Sequence, residues 1–147
     1  MIQRIQSIYL LLASAAAFAL MAVAFVNVSG KGLGKPFADG DFDVNDNTIL
    51  MVLAIVCGIA ALVNIFLFNN RKLQMKIGNL VIVLNLVLAG LAGFFLYQAL
   101  NTPQAVNDVT PNGGFGMSLL AIIFTFLANR NINKDEKLVK SAYNRLR

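Results

Sequence analysis

The residues of this chain best suited to chemistry are the alternating acids of Asp39-Gly40-Asp41-Phe42-Asp43-Val44-Asn45-Asp46. Oxygens at alternate positions can converge on a hard cation, and Asp41, Asp43 and Asn45 copy the first three ligand positions of a calcium loop. The copy then fails. Position six is Asp46 where the loop needs glycine, and position twelve is Val52 where a glutamate would close the site. The stretch reads as a solvated acidic loop with no metal assigned, and Asp46, Asn47 and Thr48 as N-cap residues for a following helix. Gly30-Lys31-Gly32-Leu33-Gly34-Lys35 has the residue types of a phosphate loop without its spacing, and Pro36 stands where Ser or Thr is required. Asn27-Val28-Ser29 is a glycosylation sequon pressed against an apolar run, and no modification is assigned to it.

Enzymatic chemistry has little to draw on. There is no histidine, Glu136 is the lone glutamate, and the single cysteine, Cys57, sits within an apolar run. The usual acid, base and nucleophile sets cannot be assembled, so a non-enzymatic protein without cofactor is expected. Within the apolar runs the polar residues include Ser14, Asn64, Asn79, Asn85, Gln98 and Thr125. Asn85 is expected to make an interhelical hydrogen bond that fixes packing, and Asn64 and Asn79 to meet water near the helix ends. Together these three amides are the candidate polar lining if the chain forms a transport path. No Asp, Glu, Lys, Arg or His lies inside a run, whereas ion-coupled transporters usually need one there.

The elements that hold these residues are four apolar runs, Ile8 to Val26, Ile49 to Phe68, Ile77 to Leu100 and Met117 to Ala128. With 147 residues, 58% hydrophobic and 13% charged, the chain is too apolar for a soluble domain. Ten of its twelve cations fall on one side of the runs: Arg4 before the first, Arg71, Lys72 and Lys76 between the second and third, and Arg130, Lys134, Lys137, Lys140, Arg145 and Arg147 after the fourth. Lys31 and Lys35 lie on the other side with Asp39, Asp41, Asp43, Asp46 and Asp108. The positive-inside rule then puts both termini in the cytoplasm. The cations are split among helix ends rather than gathered on one soluble face, so they read as topology signals and anionic-lipid contacts, not as a nucleic-acid surface.

A bilayer core of about 30 Å takes about 20 helical residues. Runs one to three meet that length. The fourth is short, but its six following cations would lie on the acidic side unless it crosses. The first run has the shape of a secretory signal ending at Ala17-Phe18-Ala19, and an uncleaved helix is expected. The predicted fold is an all-α membrane protein with four transmembrane helices as two antiparallel hairpins over residues 1–132, followed by a cytoplasmic amphipathic helix over 133–147.

The outer connection Asn27 to Asn47 predicts a loop or short hairpin, and Asn101 to Gly114 predicts turns with little regular structure. Asn69 to Lys76 is a short cytoplasmic turn. Val44-Asn45-Asp46 recurs as Val106-Asn107-Asp108, and Asn70-Arg71 as Asn129-Arg130, which hints at a parallel internal repeat against the plainer expectation of two ordinary hairpins. Ala13 and Ala17, Ala54 and Gly58, and Ala89 and Gly93 are spaced for close helix approach, within the chain or on a partner.

In the tail, Asn133 and Glu136 have capping-box spacing, which predicts a new helix. Leu138, Ala142 and Leu146 form an apolar stripe on it, flanked by Lys137, Lys140 and Arg145 and suited to a membrane surface or a partner's groove. A straight solvated extension of the fourth span is the alternative. Met1-Ile2-Gln3-Arg4-Ile5-Gln6-Ser7-Ile8-Tyr9-Leu10-Leu11-Leu12-Ala13, with the closing Lys134-Asp135-Glu136-Lys137-Leu138-Val139-Lys140-Ser141, resembles a family of small four-helix inner-membrane proteins of unknown function from Bacteroidota. The resemblance implies a bacterial inner membrane and carries no active site. The expected function is a scaffold or accessory subunit of a larger inner-membrane complex, with a small oligomeric transporter or channel as the alternative.

Overall fold

The computed structural model describes residues 2–30, 37–101 and 106–145, with side chains for 5–30, 37–101 and 106–141. Four helices dominate: α1 (Ile2–Ala19), α2 (Thr48–Phe66), α3 (Arg71–Leu100) and α4 (Gly114–Arg145). Three strands lie between them: β1 (Val26–Gly30), β2 (Asp41–Phe42) and β3 (Val106–Pro111). Each helix packs on two others, α1 on α2 and α4, and α3 on α2 and α4.

Inward residues recur at alternating spacings of three and four, the interval that keeps one seam of a helix facing its neighbours. Gln6, Leu10, Ala13 and Ala17 form the seam of α1, and Leu50, Ala54, Cys57, Ala61 and Asn64 that of α2. On α3 it is Gln74, Gly78, Val81, Asn85, Leu88 and Ala92. On α4 it is Ser118, Ala121, Thr125, Ala128, Ile132 and Asp135. These seams are mostly small or polar, whereas large apolar side chains such as Ile8, Leu11, Ile59, Leu80, Leu86, Phe94, Leu119 and Phe126 face outward. Such a bundle suits a hydrocarbon surrounding, where close packing of small residues replaces the hydrophobic drive. Thr48–Asn69, Arg71–Leu100 and Gly114–Ser141 are long and apolar enough to cross a membrane, and the apolar stretch of α1, Ile5–Ala19, is shorter.

The first run is helical only to Ala19. Beyond it, Leu20 and Phe25 are fully buried, and the Phe25 N–H donates to the Phe42 carbonyl at 2.8 Å. The chain has already left the helix for a sheet. That sheet corrects the all-α expectation, because the α1–α2 and α3–α4 connections pair antiparallel in the order β2-β1-β3. Val26 faces Phe42 on one side and Pro111 on the other, and Val28 faces Val109. Val26 and Val28 point into the core while Asn27 and Ser29 are more exposed, so the sheet closes the end of the bundle over Phe37, Phe42, Val44, Leu50 and Leu88. Phe25 packs against Phe42 and Phe115 with tilted rings at centroid distances of 6.1 and 4.8 Å. Gly40 turns with φ +83°, a conformation glycine takes without a Cβ penalty. Pro111, which has no N–H to give, sits at the end of the edge strand β3. Lys31, Lys35, Pro36 and Pro103 lie outside the described residues.

Asn47 is the N-cap of α2, its Oδ1 accepting from the Ile49 N–H at 2.9 Å. The turn expected from Asn69 to Lys76 is shorter than that. A 3-10 turn at Leu67–Asn69 ends at Asn70, whose side chain caps α3 from Arg71 onward. α4 runs unbroken for 32 residues, about 48 Å at 1.5 Å per residue. Asn133 lies inside it and starts no new helix. No Gly or Pro occurs after Gly116, so nothing interrupts the ladder. The repeat hint has no counterpart in conformation: Val44 to Asp46 form a turn and Val106 to Asp108 a strand, and Asn70 caps a helix whereas Asn129 lies within one.

Candidate functional site

The acidic loop uses its own oxygens. Asp43 Oδ1 accepts from the Asn45 and Asp46 N–H groups at 2.7 and 3.2 Å, and its Oδ2 from Asn45 Nδ2 at 2.8 Å. Asp46 Oδ2 accepts from the Asp43 N–H at 2.8 Å, and Asn45 Nδ2 also donates to the Met21 carbonyl at 3.1 Å. The loop is a self-capped turn tied to the end of α1. Partial burial of Asp46, with Asp43, Asp39 and Asp41 adding negative charge nearby, raises its carboxyl above the ordinary aspartate pKa against the lowering hydrogen bond from Asp43. Among the described residues no three His, Cys, Asp or Glu side chains gather as a metal site. Asn27 of the sequon lies in β1, its Oδ1 accepting from Asn112 Nδ2 at 2.9 Å.

The three candidate amides are not brought together. Asn85 is fully buried, but its Nδ2 donates to the Val81 carbonyl of its own helix at 2.9 Å, so the expected interhelical bond is absent and its Oδ1 has no protein partner. The partner one turn back wins because it is always within reach of a short side chain. Asn64 is fully buried with neither side-chain atom hydrogen-bonded to protein, which corrects its expected contact with water at a helix end. Asn79 is exposed on the outer face of α3 and accepts from Asn129 Nδ2 at 2.8 Å.

Polar contacts unforeseen in the sequence gather on the inward seams at the end bearing Arg71 and Arg130. Gln6 Nε2 donates to Asp135 Oδ2 at 3.0 Å, both side chains buried, and Gln74 Nε2 donates to the Asn64 carbonyl at 3.1 Å. Asp135 is thus no first-turn acid of a separate tail helix but the last inward position of α4. Its spacing from Thr125, Ala128 and Ile132 was the available signal. Farther along, Ser14 Oγ donates to the Gly58 carbonyl at 3.1 Å and ties α1 to α2.

Glu136 does not reach back toward Asn133. It pairs with Lys140 at 2.9 Å. Leu138 is 51% exposed, so the apolar stripe of the tail is unpacked where it is described, and Lys137 is exposed beside it. The side chains of Ala142, Arg145 and Leu146 lie outside the described residues.

The small-residue pairs divide by face. Ala13, Ala17, Ala54 and Gly58 are spent inside the bundle, where the Phe18 ring lies against Gly58. Gly78 is just as tightly covered, by the Asn129 side chain. Gly90 is exposed away from the bundle with Ala89 and Gly93 half-buried beside it, and a Cβ at either glycine would meet nothing within 4 Å. Leu86, Phe94 and Tyr97 stand exposed around this notch.

A family model described as a domain of unknown function (DUF4293) matches residues 2–146, so the chain belongs to that family. No curated protein and no solved structure matches it.

Proposed function

We propose that the chain is a non-enzymatic scaffold or accessory subunit of the bacterial inner membrane, with four crossing helices and both termini in the cytoplasm. The asymmetry of ten cations against two across the apolar runs supports that orientation. α1, at 18 residues, is about 27 Å long. That is close to a hydrocarbon core of about 30 Å, and buried Leu20 and Phe25 extend its apolar end into the sheet.

The observation that carries the subunit reading is the notch at Gly90 and Gly93. Two of the three small-residue pairs bring the helices of this chain together, and the third, beside Gly90, leaves room for another helix backbone. The transporter reading needs Asn64, Asn79 and Asn85 on one path, and they point to separate surroundings. Purification from native membranes in mild detergent should retain a second protein at fixed stoichiometry, and Gly90→Leu with Gly93→Leu should release it. A parent chain that purifies alone, or a partner indifferent to the double substitution, would overturn this reading.

A further inference from the structure

Between α1 and α4, at the end bearing Arg130, lies a recess of about 530 Å³ whose lining includes Tyr9, Leu127, Arg130, Lys134 and Lys137. The four α4 residues are spaced three, four and three apart, so they share one helix face. Its lining contains no carboxylate. The two acids nearest in sequence are occupied elsewhere, Asp135 by Gln6 and Glu136 by Lys140. Among the described residues Arg130, Lys134 and Lys137 have no ion-pair partner. The recess also straddles a polarity boundary. Leu127 belongs to the apolar run, Tyr9 stacks on Phe124 at 6.5 Å, and Arg130 is the first cation beyond that run.

We propose that this recess binds the headgroup phosphate of an anionic phospholipid. The Arg130 guanidinium offers paired donors that match phosphate oxygens, Lys134 and Lys137 add two ammonium charges, and the acyl chains leave past Tyr9 and Leu127 into hydrocarbon. A soluble phosphate would use the three cations but gain nothing from the apolar lower wall, which is why the lipid fits better. The site deepens the membrane reading above by naming a lipid class and its contacts.

The test is native mass spectrometry of the purified full chain in mild detergent, titrated with phosphatidylglycerol and, separately, phosphatidylcholine. Each cation near an anionic headgroup strengthens binding about fivefold, so Arg130→Gln with Lys134→Gln and Lys137→Gln should weaken phosphatidylglycerol retention on the order of a hundredfold. Arg71→Gln with Lys72→Gln and Lys76→Gln removes the same charge from α3 at the same end and should change it less than about threefold. Helical circular dichroism should stay at the parent level, since all three recess cations are exposed. Equal losses in the two triple variants, or equal retention of phosphatidylcholine, would overturn the site. Displacement of phosphatidylglycerol by millimolar inorganic phosphate would overturn the lipid assignment in favour of a soluble phosphate. None of these outcomes bears on partner retention at Gly90 and Gly93, so the two readings fail independently.

Discussion

Gly78→Ala should loosen the contact between α3 and α4, and Asn129→Ala should make the same alanine harmless. A Cβ at position 78 would fall on the Asn129 side chain, with its Cγ at 2.7 Å and Nδ2 at 2.8 Å and its Oδ1 nearer still. The amide must swing away, giving up its hydrogen bond to Asn79. Losing that bond costs about 1 kcal/mol, and crowding a tight contact adds about 1–3 kcal/mol. Alanine's helix preference over glycine returns up to about 1 kcal/mol. The net for Gly78→Ala is a loss of about 1–3 kcal/mol. Asn129→Ala alone should cost only about 0.5–1 kcal/mol, because Asn79 is exposed and is not left buried without a partner. In the Asn129→Ala background the alanine at 78 meets no amide, so adding it should be neutral or stabilising by up to about 1 kcal/mol. The coupling between the two sites is then roughly 2 kcal/mol or more. Denaturing-detergent titration in mixed micelles, followed by far-ultraviolet circular dichroism because the chain has no tryptophan, measures all four corners of the cycle. Additive effects, or a Gly78→Ala protein as stable as the parent, would refute the reasoning.

Four further substitutions probe the polar contacts. Gln6→Leu removes the donor to buried Asp135 and should destabilise by about 1–3 kcal/mol in the same titration. Asp43→Ala removes three hydrogen bonds of the turn before α2 and should cost about 1–2 kcal/mol, whereas Asp41→Asn, on an exposed strand position, should stay within about 0.5 kcal/mol of the parent. Asp46 has the opposite sign: its raised folded-state pKa means that its charge opposes folding at neutral pH, and that this opposition is relieved as pH falls through the folded value and gone below the unfolded value of 3.8. Asp46→Asn keeps an acceptor for the Asp43 N–H, so it should match or slightly exceed the parent's stability at pH 7 and lose that advantage below about pH 4, as thermal unfolding at the two pH values would record.

What could be read from the sequence was set by strong one-dimensional signals. Long apolar runs located α2 and α3, and Asn47 announced its cap. Val26-Asn27-Val28-Ser29 carries a period of two that marks a strand; the helical reading took only Val26 of it, and the short hairpin expected from Asn27 to Asn47 is formed by β1 and β2. β3 gives less warning still. Asn107 and Asp108 are poor strand formers, and the segment is ordered by pairing with β1 rather than by its own propensity. The capping-box spacing at Asn133 misled because a local cap competes poorly with a helix that already supplies the preceding carbonyls. The Gln6–Asp135 bond joins residues 129 apart, and the cover that Asn129 gives Gly78 is likewise a tertiary contact that no short motif announces.

The most direct test of the subunit account is photo-crosslinking in growing cells, with a photoreactive amino acid placed at Phe94 beside the α3 notch and, for comparison, at Ile123 on the exposed face of α4. The account predicts one discrete adduct with a different protein from position 94, lost when Gly90→Leu and Gly93→Leu are added, and no such adduct from position 123. Position 94 yielding no protein adduct, or only a dimer of this chain, would contradict it.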